Sequence, residues 1–213
     1  MLEKTSGMLQ SEIEQTPIAI TDFETTGLTP GIHRVVEVAV IRIEPGKNPF
    51  LAFDTLINPE IPVSATEIHG ITDEDVADAP KFQDIAGDLI GALSGAVFAS
   101  YNVYFDIRFL EYELSRFGIR NGIPYICLMY MRPLLGIGER CCLDDACKNR
   151  GIKHSKLHIA STDAWASARL WLSYCDLFKE NDIHVFEDLK KRKSYKFLRD
   201  SNKTSSWVTK MPI

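Results

Sequence analysis

The sequence predicts an α/β domain: a mixed sheet of three antiparallel strands followed by parallel strands, flanked by helices. Three observations predict it. Three runs rich in β-branched residues come first, joined by short turns. Apolar strand-like runs then alternate with segments of helical periodicity. The chain has 213 residues, 45% of them hydrophobic and 25% charged, enough for one sizeable core.

Taken in order, "IAITDFE" from Ile18 reads as a strand, and "HRVVEVAVIRIE" as a second with partial alternation. The turn "PGKN" leads to a third, "FLAFDTLINP". The irregular stretch "EIPVSATEIHGITDEDVADAP" holds short helical turns, with Thr72 and Asp75 spaced as a capping box. "KFQDIAGDLIGALSG" carries Phe82, Ile85, Leu89 and Leu93 at helical spacing, and "AVFASYN" is a short buried strand. "YFDIRFLEYELSRFG" is a helix with Phe105, Phe109, Tyr112 and Phe117 at helical spacing, Phe105 and Phe109 pointing coreward, and a stop at Gly118. "IPYICLMY" is a further strand, "LDDACKNRG" a short helix that buries Cys142 and Cys147, and "STDAWASARLWLSYCDLFKE" a long helix.

Residues 1–16 read as an N-terminal extension, 17–180 as the domain and 181–213 as a C-terminal extension. No apolar run approaches the roughly 18 residues of a membrane span, so no membrane association is expected. The first residues lack a cationic start and apolar block, which makes the cytoplasm the expected location. Five cysteines without an export signal suggest free thiols. The net charge of −5 is uneven: from Lys190 onward eight basic residues meet one acid, so the tail carries +7 and the body −12. Such a tail is compatible with holding a polyanion and equally with simple solvation.

Residues two apart on a strand share a face, so Ile18, Ile20, Asp22 and Glu24 line one side, apolar at first and acidic at its end. Ligands of open α/β sheets sit beyond the carboxyl ends of strands, where these acids fall. Gly27 just after them permits a tight turn or close backbone approach. A D-x-E pair alone is as readily a solvated strand end. Asp106 follows a second apolar strand and opens a helix, where an acid also benefits from the helix dipole, with Asn102 as cap or backbone brace.

His158 and Asp163 are five apart and inside one helix would diverge by about 140°. A shared site therefore requires His158 on the loop before the helix and Asp163 in its first turn, with Ser161 or Thr162 as cap. Ala164, Ala166 and Ala168 allow that helix to lie close to the sheet. Four carboxylates and one imidazole brought together suit two divalent cations, Mg²⁺ or Mn²⁺. A neutral imidazole beside them could take a proton from an attacking water. Cys141, Cys142, Cys147, His154 and His158 share a short window, but their spacing matches no common structural zinc site.

Together "TDFETTGL", "SYNVYFDIRFL" and "HIASTDAW" resemble the three motifs of the DnaQ-like exonucleases of the DEDDh type. "EIHGITDEDV" and "CLDDACKNRGI" resemble connecting segments of that family, and the likeness runs over roughly residues 17–178. The resemblance implies a ribonuclease H-like fold and a 3′→5′ exonuclease that releases nucleoside 5′-monophosphates. By it, Asp22, Glu24, Asp106 and Asp163 hold the two cations and His158 is the general base. The terminal nucleotide lies against Thr25, Thr26 and Gly27, with Leu28, His69, Asn102 and Phe105 around it. Single-stranded nucleic acid or 3′ ends are the implied partners, with a polymerase or repair complex beyond them. DNA is placed first and RNA trimming second; a non-catalytic binding module on the same fold is the alternative. The family often has His before the motif Asn, where this chain has Tyr101.

Overall fold

The computed structural model describes residues 7–119, 122–154, 158–192 and 198–199. The expected strands form where their β-branched runs predict: β1 Ile18–Thr25, β2 Val35–Ile43 and β3 Phe50–Leu56, a meander with antiparallel pairing throughout. Two one-turn helices follow, α1 Thr66–His69 and α2 Asp73–Val76, the second opened by the Thr72–Asp75 capping box. Then come α3 Phe82–Leu93, β4 Val97–Ser100, α4 Val103–Ser115 and β5 Tyr125–Cys127. Helices α5 Met131–Leu134, α6 Leu143–Asn149, α7 Ala160–Glu180 and α8 Phe186–Arg192 complete the helical part, and β6 Leu198–Arg199 ends it.

The sheet order is β3-β2-β1-β4-β5-β6, with β4 and β5 parallel to β1 and β6 antiparallel to β5. The crossovers from β3 to β4 and from β4 to β5 move the same way along the sheet. Right-handedness therefore puts α3 and α4 on one face, and α7 covers β1 and β2 on the other. Ala160, Ala164 and Ala168, one turn apart and fully buried, bring α7 close to the sheet.

Three expectations are corrected. "IPYICLMY" is strand only over Tyr125–Cys127; Leu128–Tyr130 coil into a 3₁₀ turn leading into α5. On α4 the buried stripe is Val103, Asp106, Ile107, Leu110, Glu113 and Leu114 with Phe109, whereas Phe105 is only partly covered. The stripe is rotated because both acids on it find buried partners, so charge does not mark the solvent side here. Cys142 is exposed at the N-terminus of α6, while Cys147 is buried. All five cysteines are free. The N-terminal residues 8–15 pack beside α8, with Ile13 N–H donating to the His184 carbonyl. Most of the basic C-terminal run lies outside the described residues. Among the described residues no helix is long and apolar enough to cross a membrane.

Candidate active site

The site exists because β1 is longer than its parallel partner. β1 pairs with β4 only from Ile18 to Ile20, but continues beside β2 to Thr25. Past Ile20 its β4-facing edge has lost its strand partner. The Phe23 N–H there donates to Asp106 Oδ1 at 3.1 Å, from the first turn of α4. Asp106 Oδ2 accepts from the Ser100 hydroxyl at the end of β4. Asp106 is thus buried and fixed by both strands it joins.

Asp22 and Glu24 project on the α7 side of β1. A register shift after Glu24 ends the regular ladder at the point where its side chain meets the helix. Directly opposite Glu24 on β2 stands Glu37. Its Oε2 accepts from the Ala160 N–H, the first residue of α7, at 2.9 Å. Asp54 on β3 accepts from Ser161. The helix is therefore capped by carboxylates of the sheet and not by Ser161 or Thr162, correcting that expectation; the N-cap residue Ile159 makes no side-chain cap. Acids at a helix N-terminus also favour its dipole.

This capping sets Asp163 in the first turn of α7, buried, with its N–H bonded to the Ile159 carbonyl. His158 lies on the loop before it in a left-handed conformation (φ 43°), its side chain 53% exposed. Its Nδ1 is 3.9 Å from Asp163 Oδ2, close without a hydrogen bond. Ligand atoms of Glu24, His158 and Asp163 all lie within 4.8 Å of one another.

The electrostatics bind Asp22 and Asp106 to the same group. Burial, then the charges of Asp106, Asp163 and Glu24, hold the Asp22 carboxyl well above the usual range. Burial, then Asp163, Glu37 and Asp106, push Glu24 up to about 8. Burial raises Asp106 to about 7 against the pull of its two hydrogen bonds. Among the described residues no lysine or arginine pairs with Asp22, Glu24, Asp106 or Asp163. Crowded hard oxygens with no lysine or arginine beside them are the donor set that divalent Mg²⁺ or Mn²⁺ takes, so the residues fit the expected group.

The other anticipated residues lie around this cage in different states. Thr25 Oγ donates to the Gly27 carbonyl at 2.6 Å, and Thr26 exchanges bonds with the Arg34 backbone. A Cβ at Gly27 would collide with the His33 ring, which is why the chain narrows there. Leu28 is 76% exposed. His69 is buried, its Nδ1 accepting from Ile71 N–H and its Nε2 facing the Ser64 carbonyl at 3.3 Å, so backbone occupies both nitrogens. Phe105 lies partly buried against Phe109, 5.0 Å between ring centres. Asn102 is the exposed N-cap residue of α4 and makes no side-chain cap bond. Tyr101 turns inward, its hydroxyl at 2.7 Å from the Cys141 carbonyl and 3.0 Å from that of Cys142, and so braces the segment before α6.

Two residues escaped the sequence reading of this site. Glu37 has a visible signal, a lone charge inside the apolar run "VVEVAVIRI". His154 has none: its Nε2 meets Asp163 Oδ1 at 2.7 Å and its Nδ1 meets Asp144. Burial alone would lower the His154 pKa, but the bonds to Asp163 and Asp144 outweigh it and raise it.

Residues 19–171 match the family model described as Exonuclease. DNA polymerase III subunit epsilon of Pasteurella multocida is 32% identical over 183 residues, 78% of this chain and 72% of the relative. DNA polymerase III PolC-type of Thermotoga petrophila is 27% identical over 86% of this chain, which spans only 14% of that protein's length. The structure of Exonuclease X in complex with 5′ overhanging duplex DNA superposes with a TM-score of 0.61 at 26% identity, covering 81% of this chain and 98% of that one. The sheet and helices are those of the ribonuclease H-like exonucleases. The chain belongs to the exonuclease family.

Proposed function

We propose that the chain is a 3′→5′ exonuclease that hydrolyses the terminal phosphodiester of a nucleic-acid strand and releases nucleoside 5′-monophosphates. The observation that carries this reading is the convergence of Asp22, Glu24, Asp106 and Asp163 with His158 at the open end of β1. The four acids would hold two divalent cations, which when bound supply Lewis-acid charge to the reacting phosphate and water. His158 is exposed and beside Asp163, placed to take the proton as water attacks the terminal phosphorus and the bond to the neighbouring 3′ oxygen breaks. The left-handed backbone at His158 holds the ring out of the helix and toward incoming substrate.

The narrow backbone of Thr25, Thr26 and Gly27 would seat the terminal nucleotide, with Leu28 and Phe105 against base and sugar and Asn102 at its edge. His69 would contribute its ring face alone, since both nitrogens are used. DNA is the first substrate to test, because the curated relatives are named for DNA polymerases; association with a polymerase follows the same reasoning. The experiment is digestion of matched end-labelled DNA and RNA, single- and double-stranded, with Mg²⁺ or Mn²⁺. Mononucleotide release dependent on cation and on Asp22 supports the enzyme. Strand binding with no release beyond an Asp22→Ala control supports a binding module instead.

A further inference from the structure

Beyond the cage, on the outer side of α7, lies an open cavity of about 530 Å³ lined by Lys153, His154, Thr162, Trp165, Ala166 and Arg169. Thr162, Trp165, Ala166 and Arg169 follow helical spacing, so they form one stripe running away from the start of α7. Lys153 on the preceding loop faces that stripe. His154 is the wall between the two sites: it lines the cavity, and its Nε2 bonds Asp163.

The chemistry of the two sides of that wall is opposite. On one side are the crowded acids. On the other are two exposed cations, which among the described residues have no ion-pair partner, and a half-buried indole. A planar, polyanionic ligand fits this combination: phosphates on Lys153 and Arg169, an unpaired base against Trp165. From Thr162 to Arg169 the helix advances about 10 Å, so a ligand reaching Arg169 from Asp163 must extend past the nucleotide being cut. A strand entering a cage of like charge also needs cations nearby to offset the repulsion.

We propose that the Lys153–Trp165–Arg169 cavity binds the unpaired nucleic-acid strand upstream of the cut, and so sets the length of single strand that the protein prefers. The proposal rests on the exonuclease reading for which end of the strand lies in the cage, but its test does not need turnover. Oligonucleotides from two to eight residues are titrated onto the full-length chain in Ca²⁺, with binding followed by anisotropy. Trp165 emission is read in a Trp207→Phe background, since Trp171 is buried. The parent gains affinity once the strand is long enough to pass the cage, and the same lengths quench the indole.

Arg169→Glu and Lys153→Glu, both at exposed positions, remove about tenfold of that gain and leave dinucleotide binding unchanged. Each also lowers the salt dependence of long-strand binding by about one charge. Equal affinity of parent and both variants at every length, or an indole indifferent to strand, overturns the proposal. Normal length-dependent binding without any phosphodiester cleavage in Mg²⁺ would leave this site standing and overturn the enzymatic reading alone.

Discussion

The molecule buries carboxylates in two contrasting ways. Glu113 on α4 is 0% exposed, yet Arg34 holds it with two bonds of 2.6 and 3.0 Å and Arg116 adds a third at 2.9 Å. That pair ties the β1–β2 connection to α4, and its charge is answered within the protein. About the end of β1, burial and then the charges of neighbouring carboxylates hold Asp22 and Glu24 above the usual range, burial raises Asp106, and burial with Asp54 and Asp163 raises Glu37. The first arrangement is architecture. The second leaves negative charge for something outside the chain to neutralise, and that difference separates a structural acid from a functional one more reliably than burial does.

The sharpest way to break this contrast is to neutralise one acid of each kind. Asp22→Ala should abolish nucleotide release while the metal-free melting temperature holds or rises, because the substitution relieves repulsion; a large drop in melting temperature would make Asp22 architectural. His158→Ala should slow release by about 10²–10⁴-fold in single-turnover digestion, and parental rates would remove it as the base. Glu113→Ala should cost about 3–5 kcal/mol in denaturant melts by stranding Arg34, with cleavage by the remaining folded protein little changed.

A subtler effect concerns pH. Glu24 at about 8 and Asp106 at about 7 lie above the ordinary carboxylate range, so from about pH 4 up to about pH 8 the folded protein holds protons that the unfolded chain has already released. Without divalent cations the associated stability is complete below that window and is lost as pH rises through it. Thermal melts should show this fall, and saturating Mg²⁺ should flatten it by replacing the protons. The same fall in both conditions would mean that the cation does not enter the cage. The smallest effect is that of Glu37→Gln, which keeps an oxygen for the Ala160 N–H but removes a charge. It should shift the melting temperature by only a few degrees, whereas Glu37→Ala should weaken cation binding by displacing Asp163.

Much of this was legible because the relevant signals are local. Period-two and period-3.6 patterns placed the major strands and helices, and the stretch beginning at Asp22 carries its two acids on one face by alternation alone. The requirement that His158 precede the helix and Asp163 begin it follows from helical geometry, and the structure has that arrangement. What stayed hidden depends on contacts between distant segments. Glu37 caps a helix 123 positions away, and no spacing rule connects them. His154 stands out in sequence only in a window that matches no zinc site, until the fold brings Asp144 and Asp163 to its two nitrogens. The buried stripe of α4 differs from its aromatic spacing because Asp106 and Glu113 face inward, and only their partners, Phe23, Ser100 and Arg34, explain why.

The early end of the β1–β4 pairing carries a last consequence. Three paired residues hold these strands together, and the fourth position onward is a slot rather than a seam. Two more residues of strand after Ser100 would zip that slot shut, give the Phe23 amide a backbone mate and evict Asp106. Catalytic capacity in this fold is thus rationed by strand length, and a two-residue insertion after Ser100, at the start of the second motif, would silence the protein while deleting none of its acids.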